Sequence, residues 1–159
     1  MKLSAHFDLE EFTCSDTAAR MCINNDLPIE LLAEAKKTAD MMEAIRGYLS
    51  DRLAKPCPVI ITSAYRCPQL NKAIGSSETS DHIKMMACDF KAPAFGSPYD
   101  ICRELAPAMS MLGIGQIIFE YGTPDGGGWI HVSTRIPDKI INRIITIDKN
   151  GTHAGIVEA

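Results

Sequence analysis

The sequence lacks long apolar runs, basic clusters and low-complexity tracts. No stretch of about 18 uninterrupted apolar residues is present, which excludes a membrane-spanning helix. The formal net charge is -4 and lysine and arginine are dispersed, so the attraction that drives nucleic-acid binding has no evident source. We therefore expect neither membrane insertion nor a nucleic-acid partner. The opening residues also contain no apolar run typical of a signal peptide, which predicts synthesis in the cytoplasm without one.

Cysteine pairs with metal-binding spacing are also missing. The chain has six cysteines, but none forms a CxxC pair, which argues against a cysteine zinc site. Without a secretion signal the reduced state is favoured, and we expect the cysteines to act as small buried side chains.

The length and composition are those of one globular domain. A chain of 159 residues can bury roughly two thirds of its unfolded surface in a single core. We expect one domain over residues 1–159, consisting of an N-terminal arm (1–27), a core (28–150) and a tail (151–159). Apolar spacing and turn residues predict the elements of the core in this order: a helix over 28–53, a central strand over 59–65, a short helix after Pro68, a strand Ala87–Lys91, a helix over 99–111 with a break near Pro107, and a strand over 143–148 followed by a short edge strand.

Between these elements, Gln116–Glu120 and residues 129–134 flank a glycine-rich loop, a pattern typical of a β-hairpin. A hairpin symmetric about this loop places Glu120 opposite Trp129 and Ile118 opposite His131. Strand alternation then turns His131 away from the apolar core face. Antiparallel pairs with helices beside them predict an α+β fold, a small antiparallel sheet flanked by helices.

Two stretches carry candidate metal ligands: residues 80–89 and the strand that contains His131. Two histidines and a carboxylate, brought together, form a catalytic zinc site with one open position. Each piece also has a structural interpretation. A lone strand histidine is often a hydrogen-bonded core residue, Asp89 can cap a turn, and Glu120 at a strand end can be solvated.

At these residues the sequence resembles the zinc D-Ala-D-Ala carboxypeptidases and related peptidoglycan peptidases. Their pattern S-x-H-x-x-G-x-A-x-D, followed by W-x-H, matches Ser80 to Asp89 and Trp129 to His131. The resemblance runs from about residue 6 to 150 and is closest to the branch common in phages and prophages. The further matching segments are H-F-x-L-x-E-F-x-x-S (His6 to Ser15), T-S-x-Y-R (Thr62 to Arg66), Asn71 and Q-x-I-x-E (Gln116 to Glu120).

The resemblance implies a fold shared with the Hedgehog signalling domain and a Zn²⁺ ion. Its implied site consists of zinc ligands His82, Asp89 and His131, catalytic base Glu120, and substrate-binding residues Arg66, Ser80 and Gln116. Arg66 would hold a substrate carboxylate, although a structural salt bridge is the alternative. Gln116 would orient a ligand or the base from behind.

Two positions depart from the family pattern. Met85 replaces the glycine, so a positive φ there would strain the loop or force it to bend differently. Gly128 stands where many members carry an acid three residues before the last histidine. The base must then come from elsewhere, and Glu120 is the candidate that the branch suggests.

The resemblance implies a zinc peptidase that hydrolyses peptide bonds in bacterial peptidoglycan stem peptides. A D-Ala-D-Ala carboxypeptidase and an endolysin-type endopeptidase both fit, encoded by a phage or prophage. Such an enzyme would act on the cell wall in the periplasm after release, or as a virion component, and a monomer is favoured. The alternative is a catalytically inactive, zinc-stabilised binding module or virion structural module.

Overall fold

A computed structural model describes all residues from 1 to 159. The helices are α1 (Leu9–Thr13), α2 (Asp16–Arg20), α3 (Leu32–Leu53), α4 (Pro68–Ala73) and α5 (Pro98–Leu105), with 3-10 turns at Ile29–Leu31, Ala106–Ala108 and Ile140–Arg143. The strands are β1 (Ile60–Ser63), β2 (Ala87–Lys91), β3 (Gln116–Glu120), β4 (Trp129–Ser133), β5 (Ile144–Asp148) and β6 (Gly151–Ala154). None of the helices is long and apolar enough to cross a lipid bilayer.

The six strands form one sheet in the order β1-β2-β4-β3-β5-β6. The α+β class is confirmed, but the sheet is mixed rather than wholly antiparallel, because β3 and β5 run parallel. The prediction that β1 is central was wrong, since it pairs only with β2 and lies at the sheet edge. Its β-branched, apolar composition suits either position, and half of the Ile60 side chain is exposed.

The β3–β4 hairpin has the predicted register. Glu120 pairs with Trp129 and Ile118 with His131. Consecutive side chains alternate between the faces, so Phe119 and Ile130 are buried in the main core. One face of the hairpin therefore packs in the core, and the opposite face carries His131 and Glu120.

Proline ends helix α5 earlier than its apolar spacing suggests. The break predicted near Pro107 within the helix over 99–111 is confirmed, because the α-helix ends at Leu105 and Pro107 lies in the following 3-10 turn. Proline has no N–H and its ring clashes with the carbonyl four residues before it, so the α-helix cannot continue. Helix α3 instead ends at Leu53, and the residue after it, Ala54, has a left-handed φ of 52°.

All six cysteines are free, and three of them are buried as expected: Cys57, Cys88 and Cys102. Cys14 and Cys22 are exposed, so the expectation that all are core residues was wrong for these two. Both lie in the N-terminal arm, whose few buried side chains include Phe7 and Phe12. A short arm held by so few anchors leaves its other side chains on the surface.

Candidate metal centre

Three different parts of the fold supply the candidate metal ligands. His82 lies in the turns between α4 and β2, Asp89 in β2 and His131 in β4. Asp89 and His131 are direct partners across the β2–β4 ladder, which brings their Cα atoms to within about 5.5 Å of each other. All three residues are buried, and their ligand atoms lie within 4.8 Å of one another.

The three ligand atoms form a compact triangle. Asp89 Oδ1 lies 2.9 Å from His131 Nδ1 and 3.2 Å from His82 Nε2. His82 Nε2 lies 3.2 Å from His131 Nδ1. Metal–ligand bonds of about 2.0–2.1 Å in a tetrahedron give ligand–ligand edges of about 3.3 Å. The triangle therefore fits one tetrahedral ion of zinc size and leaves the fourth corner for water or substrate.

The orientation of His82 is fixed from behind. Its Nδ1 lies 2.6 Å from the carbonyl oxygen of Ala64, so the proton on Nδ1 is donated there. When the ring is neutral, its lone pair is therefore on Nε2, which faces the other two ligands. The hydrogen bond gives His82 the tautomer that a metal ligand requires.

The charges within the cluster compensate one another. Burial disfavours the charged form of Asp89, but the imidazoles of His82 and His131 outweigh it and hold the pKa of Asp89 well below its usual range. Burial also disfavours charge on His131, yet its hydrogen bond to Asp89 raises the pKa of His131 overall. Arg66 Nη2 adds an ion pair at 2.8 Å from Asp89 Oδ2. Asp89 is therefore an ionised carboxylate, as metal binding requires.

Glu120 lines the same cavity as the cluster. Its Oε2 accepts a hydrogen bond from the indole Nε1 of Trp129, its partner across the hairpin, while Tyr121 packs against that indole. Burial raises the pKa of Glu120, although nearby His131 acts in the opposite direction. A half-buried carboxyl group with a raised pKa accepts and holds a proton more readily than an exposed one does.

The cavity has a volume of about 240 Å³, and Ile118 is the one hydrophobic residue among the thirteen that line it. The three residues predicted to bind substrate, Arg66, Ser80 and Gln116, all line this cavity. Ser80 Oγ accepts the backbone N–H of His82 at 3.3 Å, and Gln116 Nε2 donates to the carbonyl of Asn142 at 2.8 Å. A polar wall of this kind suits a hydrophilic peptide better than an apolar ligand.

The side chain of Arg66 is already engaged. Besides its ion pair with Asp89, its Nε donates to Ser63 Oγ at 2.9 Å. The salt bridge considered as an alternative is thus present, and Nη1 makes no hydrogen bond within the chain.

The sequence interpretation missed one buried network at the site. Asp81 accepts from Ser133 Oγ at 2.9 Å and from Arg135 Nε at 2.6 Å, and Arg135 lines the cavity. Ser133 shares a strand face with His131, and Asp81 directly precedes His82, so both positions offered a sequence signal. Arg135 lies beyond β4 and offered none.

The two departures from the family pattern have structural explanations. Met85 has a φ of 57°, the left-handed conformation that glycine adopts most easily, and its side chain is fully buried. The loop is therefore strained rather than bent differently, and the three ligands still converge. Gly128 has a φ of 100°, and a Cβ there would lie 2.7 Å from the carbonyl oxygen of Glu120. This backbone leaves no room for an acidic side chain at Gly128.

A family model described as peptidase M15 matches residues 5–133, which are 129 of the 159 residues. The match extends from the N-terminal arm to the end of β4 and includes the whole His–Asp–His cluster. No curated protein matches the chain. The helix-flanked sheet is compatible with the fold of this family. Peptidases of the family depend on a metal, and the His–Asp–His cluster is a site that could hold one. The chain therefore belongs to the peptidase M15 family.

Proposed function

We propose that this protein is a zinc peptidase that hydrolyses peptide bonds in the stem peptides of bacterial peptidoglycan. The observation that carries the proposal is the triangle of His82 Nε2, Asp89 Oδ1 and His131 Nδ1 beside Glu120. A donor set of two imidazoles and one carboxylate suits zinc better than it suits harder cations such as Mg²⁺ and Ca²⁺. When bound there, zinc lowers the pKa of water and polarises the scissile carbonyl.

Glu120 is proposed as the general base. Trp129 occupies its Oε2, so Oε1 is the atom that takes a proton from the attacking water. The same carboxyl group then returns the proton to the amine that leaves. A raised pKa favours this second step, because the group must be protonated for part of each turnover.

The remaining polar residues are proposed to hold the peptide. Arg66 has Nη1 available for a substrate carboxylate, and its ion pair keeps the guanidinium beside the metal ligands. The hydroxyl of Ser80 and the amide oxygen of Gln116 are further groups for backbone hydrogen bonds. Because Asn142 holds the amide nitrogen of Gln116, the oxygen of that amide is the acceptor left for a substrate N–H.

The source and site of action belong to the same proposal. The resemblance to the phage and prophage branch supports an enzyme that acts on the cell wall in the periplasm, after release or as part of a virion. A carboxypeptidase that removes terminal D-Ala and an endolysin-type endopeptidase both fit an open, polar cavity. Mass spectrometry of purified peptidoglycan after digestion distinguishes them by the bond that is cut.

The decisive variant is Glu120→Gln, which keeps the size of the side chain and removes the base. We expect kcat on muropeptides to fall by about 10²–10⁴-fold, the usual contribution of general base catalysis. Zinc content by mass spectrometry and the melting temperature should remain those of the wild type. His131→Ala is the matched control, because it should lose both zinc and activity.

Full activity of Glu120→Gln would remove this residue from the mechanism. Stoichiometric zinc in the wild type without hydrolysis of any muropeptide would instead indicate a zinc-stabilised binding or virion structural module.

A further inference from the structure

Arg135 is a second cationic residue in the cavity that the proposed mechanism does not use. Its Nε donates to Asp81 Oδ1 at 2.6 Å, and the side chain of Asp81 is almost completely buried. The other oxygen of Asp81 accepts from Ser133 Oγ at 2.9 Å, and Ser133 Oγ also accepts the backbone N–H of Arg135 at 3.1 Å. The buried carboxylate of Asp81, which accepts two hydrogen bonds, therefore holds the Nε edge of the Arg135 guanidinium in place.

The outer edge of this guanidinium is open. A guanidinium offers two edges that can each bind a carboxylate, and Nη1 and Nη2 of Arg135 make no hydrogen bond within the chain. The side chain is 41% exposed, and it lines the same cavity as the metal cluster. Arg135 is thus oriented in advance for an anion that enters the cavity.

Arg135 lies at the opposite end of the hairpin from the proposed base. Glu120 and Trp129 form one end of the β3–β4 ladder, His131 lies in the middle, and Gln116 pairs with Ser133 at the other end. Arg135 follows two residues after Ser133. A peptide whose scissile bond lies at the cluster therefore passes Arg135 with residues that flank that bond.

We propose that Arg135 forms a second carboxylate subsite, which selects peptides with an acidic group near the scissile bond. The proposal rests on the function proposed above, in which Arg66 holds a different carboxylate. Stem peptides offer two such groups, the free carboxylate of a γ-linked D-glutamate and the additional carboxylate of diaminopimelate. Both present the same planar anion to the paired Nη atoms.

The test uses three synthetic stem peptides: one with both carboxylates, one with D-isoglutamine in place of D-glutamate, and one with lysine in place of diaminopimelate. We expect the wild-type kcat/KM to fall about 10–100-fold for the peptide that lacks the recognised carboxylate, which corresponds to the usual strength of hydrogen bonds to charged groups. In Arg135→Gln that discrimination should shrink to within about threefold. The identity of the sensitive peptide tells the two sources apart.

Ser133→Ala is the matched control for a structural role. It weakens the support of Asp81 but leaves the outer edge of Arg135 in place, so it should affect all three peptides equally. If Arg135→Gln also lowers kcat/KM equally for all peptides, Arg135 acts only through Asp81 and the subsite is refuted.

Binding provides a readout that does not require turnover. Isothermal titration of the three peptides into Glu120→Gln, with and without Arg135→Gln, should show the same preference in Kd. Cleavage of all three peptides with equal kcat/KM and equal Kd refutes the subsite and leaves the proposed function intact. A carboxylate preference in binding without any cleavage supports the subsite and refutes the peptidase, whereas no binding of any peptide refutes both.

Discussion

Met85 lies in the segment between His82 and strand β2, and it allows a test of whether the backbone of this segment is strained. Its backbone lies in the left-handed region while its side chain is fully buried. Its carbonyl accepts from Thr38 Oγ1 at 2.6 Å, and its N–H donates to the carbonyl of His82 at 3.2 Å. Met85 therefore connects a proposed metal ligand to helix α3. Replacing it separates the cost of the backbone conformation from the gain of the buried side chain.

We predict that Met85→Ala lowers the free energy of unfolding by about 2–5 kcal/mol, as other buried methionines do when truncated to alanine. Met85→Gly removes one more carbon but relieves the left-handed backbone, which costs a residue with a Cβ about 1–2 kcal/mol. The greater entropy of glycine in the unfolded chain offsets this relief by about 0.4–1 kcal/mol. The glycine variant should therefore be more stable than the alanine variant by up to about 1 kcal/mol.

Urea and thermal unfolding in excess EDTA measure this difference without a contribution from bound metal. For a chain of this size, 1 kcal/mol corresponds to about 2–4 °C in Tm. The control is Ala35→Gly in helix α3, where glycine at a fully buried helical position should destabilise by about 0.5–1 kcal/mol. If Met85→Ala is more stable than Met85→Gly by a similar margin, the backbone at Met85 is not strained.

Two further predictions concern the hairpin loop and the N-terminal arm. Gly128→Ala should destabilise the protein by at least about 1–2 kcal/mol, because a Cβ there meets the backbone of Glu120. We expect the displaced Glu120 to lower kcat by a larger factor than the zinc content falls, and a wild-type kcat would contradict this. Burial favours the neutral form of Glu43, but hydrogen bonds from the His6 backbone and from Ser4 lower its pKa below 4.5. The stabilisation by Glu43, about 1 kcal/mol relative to Glu43→Gln, should be present above pH 4.5 and disappear as the pH falls through the lowered pKa. Unfolding of both proteins across that range measures it, and a constant difference would refute the assignment.

The hairpin shows what local pattern can determine. A hairpin symmetric about its glycine-rich loop was sufficient to predict the register that places Ile118 opposite His131. The pattern of apolar and turn residues also placed the strand Ala87–Lys91 correctly. It failed for β1, because an apolar, β-branched segment looks the same at the edge of a sheet as in its centre.

The sequence likewise identified some residues of the candidate site and missed others. Motif resemblance identified His82, Asp89 and His131, since these residues occupy fixed positions in two short segments. The motifs did not identify Arg135, because its contact with Asp81 joins positions 54 residues apart and depends on where the chain turns after β4. No local period encodes such a contact.

The sequence by itself determined the α+β class, the hairpin register and the residues that could bind a metal, because strand alternation and motif spacing are local properties of the chain. The tertiary structure alone decided that the three ligand atoms form a triangle of tetrahedral size, and that Trp129 engages Glu120. It also decided that Met85 accepts a left-handed backbone within the core. These features depend on distances between distant segments, and such distances become fixed when the core packs.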